Sequence, residues 1–312
     1  MAADGSNQYP ARVFLRDVTL RDGLQSEEIL ISVADKTSLI EKILAAGIRE
    51  LEVTSFVSPK RVPAMADAEE LWKALPEIEG VRYSALVLSQ KGLDRAIHAG
   101  VEEVGVFVSA SEAHSRRNSG QGIEEALWEA LKMIRLARQA GMRVRAGVMN
   151  AFGCHLEAGP IPVEKVLGLA EALHREGPEE MVLADTSGIG NPRQVFESIS
   201  GCRQSLNCCR LSLHLHNASG WAFANLLAAL LAGVDTFDVT LGGLGGCPFL
   251  PGAAGNLPSE TVVRFVEALG IPTGIGLSAL DEASKMLEQF LGRPFPLRSA
   301  GPILFAPQGE EP

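Results

Sequence analysis

His214 and His216 stand at i, i+2 at the end of the apolar run LSLHLH (Leu211–His216). Side chains on a strand repeat every second residue, so the two imidazoles share a face and can hold one metal ion together. After one helix length, a glycine-rich turn leads into Cys247, and Asn256 follows nine residues later. A single thiol on such a loop beside a metal site is suited to donating a proton and being regenerated. At the other end of the chain, Arg21-Asp22-Gly23-Leu24-Gln25 follows the strand-like VFLRDVTL directly.

These groups are far apart in sequence, so the elements between them must bring them together. Apolar alternation and helical periodicity take turns along the chain. Strands are expected at Val13–Val18, Glu50–Thr54, Val81–Leu88, Glu103–Val108, Arg143–Asn150, Met181–Ala184, Leu211–Leu215 and Thr236–Thr240. Helices are expected at Val33–Ala46, Ala64–Leu75, Lys91–His98, Ile123–Ala140, Val163–Arg175, from Asn191-Pro192 onward, Trp221–Ala232 and Ser259–Leu269, with one more at Ser278–Leu291. Asn191-Pro192 combines an N-cap side chain with proline at the first helical position. Eight strands each followed by a helix describe an α/β chain with a (β/α)8 TIM barrel and an extra C-terminal helix. An open dinucleotide-binding sheet should show G-x-G-x-x-G after an early strand, and Leu20-Arg21-Asp22-Gly23 does not supply it. One domain over 1–312 is expected, with the barrel at about 12–270 and a C-terminal extension at about 271–312. In a barrel the active site lies at the C-terminal strand ends. Arg21 and Asp22, Glu52, Asp185, His214 and His216, and Cys247 with Asn256 all fall late in or just after strands, which places them on one rim.

Composition narrows the function classes. A formal net charge of −10 over 312 residues offers no basic field to displace counterions from phosphate, which argues against nucleic acid. Local Lys and Arg still suffice for an anionic small molecule. Five cysteines, Cys154, Cys202, Cys208, Cys209 and Cys247, show no regular spacing, which argues for a reducing compartment and against a disulfide framework. Cys202, Cys208 and Cys209 read as small thiols around a helix-to-strand turn rather than as a metal cluster. The N-terminal MAADGSNQYPAR carries neither a basic stretch nor an apolar core, and the longest apolar stretch, Trp221–Gly233, is too short to span a bilayer. A cytoplasmic enzyme with no membrane partner is expected.

Six segments, taken in order over about 250 residues, resemble the hydroxymethylglutaryl-CoA (HMG-CoA) lyase family within a wider group of metal-dependent TIM-barrel lyases and condensing enzymes. They are RDGLQ (Arg21–Gln25), LEVTSFVSPK (Leu51–Lys60), AFGCHLEAG (Ala151–Gly159), ADTSGIGNP (Ala184–Pro192), HLHN (His214–Asn217) and GLGGCPF…GAAGN (Gly243–Asn256). The Arg-Asp and His-x-His pairs belong to the whole group, whereas SFVSPK and GLGGCP point to the lyases.

The resemblance implies Asp22, His214, His216 and Asn256 as metal ligands. Two imidazoles, a carboxylate and an amide oxygen favour Mg²⁺ or Mn²⁺, and Zn²⁺ would also accept most of the set. It implies Arg21 at the enolate oxygen of the thioester, where a fixed guanidinium suits a developing oxyanion. Arg21 also has Asp17 or Glu52 as candidate ion-pair partners. Cys247 becomes the acid that quenches the enolate. Asp185 and Glu52 become proton-transfer or supporting carboxylates, with Asp17 and Glu260 behind them. Gln25, Ser55, Lys60, Arg117 and Asn118 become contacts to an acyl-CoA thioester, with Lys60, Arg61 and the loop Arg116-Arg117-Asn118 at its phosphates. A homo-oligomer, taken as a dimer, completes the expectation.

The implied reaction is cleavage of 3-hydroxy-3-methylglutaryl-CoA, or a close 3-hydroxyacyl-CoA, to acetyl-CoA and a 3-keto acid. The alternatives are a lyase for citramalyl-CoA or a longer 3-hydroxyglutaryl-CoA, and a condensing synthase of the isopropylmalate or homocitrate type. A barrel retained only for binding would have lost a ligand or Arg21, and all are present. Departures from the lyase pattern cluster near the rim. Asn217-Ala218-Ser219-Gly220 replaces Asp-Thr-Tyr-Gly, His155 replaces a proline, Arg61 an aromatic and Ser187 an aliphatic, and Asp17 stands where glutamate is commoner. They predict a pocket open to larger or more polar acyl groups.

Overall fold

In the computed structural model, the described residues are 8–206, 209–246 and 255–295. Eight strands form a closed parallel barrel in sequence order: β1 (Phe14–Asp17), β2 (Glu50–Ser55), β3 (Arg82–Val87), β4 (Glu103–Ser109), β5 (Arg143–Met149), β6 (Glu180–Asp185), β7 (Arg210–Leu215) and β8 (Thr236–Val239). Pairing of Phe14–Asp17 with Thr236–Val239 closes the ring. The helices are α1 (Val33–Ala45), α2 (Ala68–Lys73), α3 (Gln90–His98), α4 (Glu112–Ser119), α5 (Ile123–Gln139), α6 (Val163–His174), α7 (Pro192–Ser205), α8 (Ala222–Leu231), α9 (Ser259–Ala268) and α10 (Leu277–Leu291). None is long and apolar enough to cross a membrane.

Each strand divides its side chains by parity. In β4, Val104, Val106 and Val108 are buried against the helix layer. Phe107 has the opposite parity and fills the barrel lumen. A Cβ at Gly105 would stand 2.8 Å from its ring, and one at Gly147 would stand closer still. Glycine at these two positions makes room for the single large ring.

The expected helix boundaries hold within a residue or two, the usual uncertainty of helix ends, with two exceptions. The second helix begins as a separate 3-10 turn, Pro63–Met65, before α2. The segment expected as a loop after the fourth strand is the helix α4. Ser111 caps it by accepting the His114 N–H at 3.0 Å, and Gly120 ends it in the left-handed region. Its low apolar content hid it from periodicity. On α7 the capping box is complete, with Asn191 and Gln194 exchanging hydrogen bonds and Pro192 opening the helix.

The extra helix α10 packs on α1, and its Ser284 donates to Glu260 at the start of α9. Glu260 also accepts the Gly242 N–H at 3.1 Å, so it anchors the turn that follows β8.

Candidate active site

The chain leaves β1 through a five-residue π-helical turn, Thr19–Gly23, in which both Asp22 and Gly23 donate to the Val18 carbonyl. π-turns recur at functional sites because they re-aim side chains. Here the turn points Asp22 and Arg21 over the barrel mouth. At the far end of β7, His214 is the fifth residue of the strand, and His216 lies just beyond it, bridged to Asn256. Gly245 lets the last loop close on them. Its φ is +99°, and a Cβ there would meet Asn256 Nδ2 at 2.7 Å and the Asp22 carbonyl at 3.0 Å.

The four expected ligands therefore converge. His214 Nε2 and His216 Nε2 are 3.0 Å apart, and Asp22 Oδ2 lies 3.7 Å from the first and 3.4 Å from the second. Asn256 Nδ2 donates to Asp22 Oδ2 at 2.7 Å and to the Leu244 carbonyl at 3.0 Å. Its Oδ1 is buried and has no hydrogen-bond partner.

The outer sides of the imidazoles are fixed. His216 Nδ1 donates to the Thr186 carbonyl at 3.0 Å, and His214 Nδ1 lies 3.3 Å from Asp238 Oδ2. This is the arrangement that orients metal-ligating histidines and raises their basicity. It turns both Nε2 atoms and the Asp22 carboxylate toward one point, with the Asn256 amide beside the carboxylate. Burial disfavours charge on His216, yet its hydrogen bond to Asp22 and the Asp22 charge raise its pKa. Burial opposes ionisation of Asp22 too, but Arg21 and the two histidines hold it well below the usual carboxylate range. The cluster calls for a positive charge at its centre, and the donor set fits a divalent cation.

Arg21 forms tight ion pairs with Asp22 and, through Nε, with Glu52, which is fully buried. Its guanidinium lines a cleft of about 870 Å³ of empty space that opens to solvent at the rim. Gln25 and Asn118 also line it, as do His214 and His216. One wall is apolar, formed by Leu86, Leu88, Phe107 and Met149.

Other expected residues lie elsewhere. Asp185 is fully buried behind His216, and its carboxylate accepts the N–H groups of Ile189 and Gly190 at 3.2 and 3.0 Å. Burial pushes its pKa up to about 6. It holds the turn after β6 and does not line the cleft. Asp17 is not the Arg21 partner. It accepts the N–H and hydroxyl of Thr19, both at 2.9 Å. Ser55 is buried and off the cleft lining. Lys60, Arg61 and Arg117 are exposed, and none of them lines the cleft. Cys247 lies outside the described residues. Among those residues the only grouping of His, Cys, Asp and Glu with metal-binding geometry is Asp22, His214 and His216. Cys202 and Cys209 are not part of it, and burial pushes their thiols up to about 12 and about 11.

A model of the HMGL-like family matches residues 12–287. The chain belongs to this family. It is 38% identical over 291 residues to the hydroxymethylglutaryl-CoA lyase YngG of Bacillus subtilis, an overlap of 93% of this chain and 97% of that protein. It is 39% identical over 295 residues to the 3-hydroxy-3-isohexenylglutaryl-CoA/hydroxy-methylglutaryl-CoA lyase of Pseudomonas aeruginosa, covering 95% and 98%. An HMG-CoA lyase from Acinetobacter baumannii, solved in complex with coenzyme A and 3-methylmalate, superposes with a TM-score of 0.87 at 35% identity, covering 92% of this chain and 94% of that one. The chain is thus an HMG-CoA lyase-like lyase on a TIM barrel.

The residues beneath the site lie outside every recognised sequence segment. Arg145 reaches Glu52 at 3.0 Å, Glu180 at 3.0 Å and Asp238 at 3.0 Å. It therefore stands under both Arg21, through Glu52, and His214, through Asp238. The signal was available. Arg145, Glu180 and Asp238 are charged residues at lumen-facing parity in strands that are mostly apolar.

Proposed function

We propose that the chain cleaves 3-hydroxy-3-methylglutaryl-CoA, or a close 3-hydroxyacyl-CoA, to acetyl-CoA and a 3-keto acid. The observation that carries this reading is the π-turn that sets a carboxylate ligand and a guanidinium side by side over the His214–His216 pair.

Asp22, His214, His216 and Asn256 would hold a divalent cation, Mg²⁺ or Mn²⁺ by donor hardness, with Zn²⁺ also compatible. When bound, the ion polarises the C3 hydroxyl and lowers its pKa. Transfer of that proton to a side-chain base lets the C2–C3 bond break. C3 becomes the ketone of the product, and the bonding electrons pass to C2 and the thioester oxygen as an enolate. Arg21, held in place by Glu52 and Asp22, carries the positive charge that meets this oxygen. Cys247 is assigned the proton that C2 then receives, which yields acetyl-CoA. Gln25 and Asn118 contact the acyl portion from the cleft lining. Lys60 and Arg117, both exposed, are assigned to the phosphates of CoA, and a dimer remains the expected assembly.

Asn217, one of the departures from the lyase pattern, has a local role. Its side chain accepts the Ala222 N–H at 3.1 Å and so supports the first turn of α8.

The test is direct. Purified protein with Mg²⁺ or Mn²⁺ is offered a panel of 3-hydroxyacyl-CoAs, and acetyl-CoA release is followed by mass spectrometry. Release from HMG-CoA or a close analogue supports the reading. Condensation activity alone would replace it with the synthase.

A further inference from the structure

One side chain under the site joins its two halves. Arg145 is on β5, three strands from β2 in one direction round the ring and three from β8 in the other. Its guanidinium crosses the lumen to reach both. Nη1 donates to Glu52 Oε2 on β2 at 3.0 Å, and Nη2 donates to Asp238 Oδ1 and Oδ2 on β8 at 3.0 and 3.2 Å. Nε donates to Glu180 Oε1 on β6 at 3.0 Å. Glu180 also accepts from Arg16 at 2.5 Å and from the Ser212 hydroxyl at 2.6 Å, which anchors this third arm deep in the lumen.

The first two carboxylates each hold a second partner. The other oxygen of Glu52, Oε1, accepts the Arg21 Nε–H. Asp238 Oδ2 lies 3.3 Å from His214 Nδ1. One guanidinium thus stands behind both the cation assigned to the enolate oxygen and a histidine assigned to the metal. Arg145, Glu52 and Asp238 are at most 2% exposed, so water does not loosen these bonds. Lysine could match the charge of Arg145 but not its geometry. A guanidinium is planar and sends its N–H donors out in a fixed fork, whereas an ammonium is a point charge on a flexible stem.

We infer that Arg145 is a positioning residue for the reaction: through Glu52 and Asp238 it fixes Arg21 relative to His214, and so the enolate oxygen relative to the metal. This rests on the proposed lyase reading and deepens it. Cleavage of C2–C3 needs the C3 hydroxyl at the metal and the thioester oxygen at Arg21 at the same moment, and a misplacement of about 1 Å can cost about 100-fold in rate. The competing role is neutralisation of buried carboxylates alone. Both roles predict a loss of stability when the charge is removed. They differ when the charge is kept and the fork is lost.

The experiment therefore uses Arg145→Lys. Mn²⁺ affinity is measured by calorimetry on metal-free protein, and kcat and KM are measured at saturating Mn²⁺ with the thioester that wild type cleaves best. Arg145→Lys should weaken Mn²⁺ binding by about 10-fold, as loss of support behind a metal-bound imidazole does. It should lower kcat by about 100-fold with KM changed by no more than about twofold. In an Asp238→Asn background the same substitution should cost no further Mn²⁺ affinity, and in a Glu52→Gln background little further kcat, because the arm it acts through is gone. Wild-type Mn²⁺ affinity and kcat in folded Arg145→Lys, or losses that add in full in both backgrounds, would leave neutralisation alone and overturn the positioning role. Should Arg145→Lys not fold, the two isosteric variants decide. Glu52→Gln should lower kcat and leave Mn²⁺ affinity unchanged, and Asp238→Asn should weaken Mn²⁺ binding. Wild-type kcat in the first or wild-type affinity in the second overturns the positioning role. A wild type that binds Mn²⁺ yet releases no acetyl-CoA from any thioester defeats the lyase reading itself, and the positioning role with it.

Discussion

The barrel interior and the barrel rim are both crowded with charge, yet they close their electrostatics in opposite ways. In the interior, Arg16 and Arg145 are almost fully buried, and each is surrounded by carboxylates. Arg16 meets Glu180 at 2.5 Å and Glu50 at 2.7 Å, and Arg145 meets Glu52, Glu180 and Asp238. Burial opposes ionisation of Glu180, but the two arginines hold it well below its usual range. At the rim the same residue types stop short of satisfaction. Two imidazole nitrogens face each other, and an amide oxygen is buried without a partner. The interior carboxylates around Arg16 and Arg145 each meet a guanidinium, although Arg16 Nε has no hydrogen-bond partner, whereas at the rim the donor atoms face one another. Removing one interior group should therefore damage the fold, and removing one rim group should damage only what the rim binds.

The largest effect expected is on turnover, at the rim. His216→Ala removes a nitrogen donor and should abolish acetyl-CoA release and stoichiometric metal binding, the latter read by elemental analysis. The metal-free variant should melt close to metal-free wild type. Comparable activity in wild type stripped by a chelator would sink the metal assignment.

Arg145→Met tests the interior. It leaves Glu52, Glu180 and Asp238 short of a counter-charge in a dry lumen. Breaking a buried ion network from one side costs about 3–5 kcal/mol, so chemical denaturation should show a loss of that order. A variant as stable as wild type would mean that the interior is no more closed than the rim.

Arg21 belongs to both regions, since it pairs with buried Glu52 and lines the cleft. If its charge acts on the enolate, Arg21→Met should lower kcat by about 10²–10³, the usual cost of one oxyanion donor, with KM little changed. A rise in KM alone would make Arg21 a substrate clamp.

The contrast also explains what could be read from the sequence. Strands and most helices were legible because parity and helical period mark the buried faces. His214 and His216 were legible from their strand spacing, whereas Asp22 and Asn256 entered the set through the family resemblance, and the structure brings the four together. α4 was not legible, because its residues carry no apolar stripe, although Ser111 caps it locally by accepting the His114 N–H while donating to Glu157 at 2.7 Å. Its two cleft-lining residues, His114 and Asn118, went with it. One was missed, and the other was placed on a loop. Asp185 was placed correctly at its strand end, but its partners are backbone N–H groups a few residues on, which side-chain chemistry alone does not reveal. Arg145 and Asp238 were passed over because a barrel lumen reads as apolar core until its charges are seen to pair.

The smallest effect separates burial from pairing at the seam between the two regions. Asp17 ends β1, is fully buried and has no cationic partner among its hydrogen bonds. It accepts from Thr19, whose hydroxyl oxygen accepts the Leu241 N–H at 2.9 Å, so it ties the catalytic turn to the loop after β8. Burial, reinforced by Glu260 and Asp238 and opposed by the Thr19 bonds, pushes its pKa up to about 7 from an ordinary 3.8. The folded state therefore holds this proton more tightly than the unfolded state. Between about pH 4 and pH 7 the unfolded chain binds fewer protons at this residue, so its contribution to stability falls as pH rises and is fully lost above that window. Asp17→Asn removes the titration. Groups other than its neighbours Glu260 and Asp238 titrate equally in both proteins, so they cancel in the difference. The variant should gain on wild type by on the order of 1–3 kcal/mol between pH 5 and pH 8.5 in urea denaturation. Asp238, equally buried but paired with Arg145 and His214, is held down at about 2 and should show the opposite sign, with stability lost only as pH falls through the acid range. Parallel pH profiles for wild type and Asp17→Asn would show that Asp17 is ionised and compensated like the rest of the interior, and would remove the seam from the comparison.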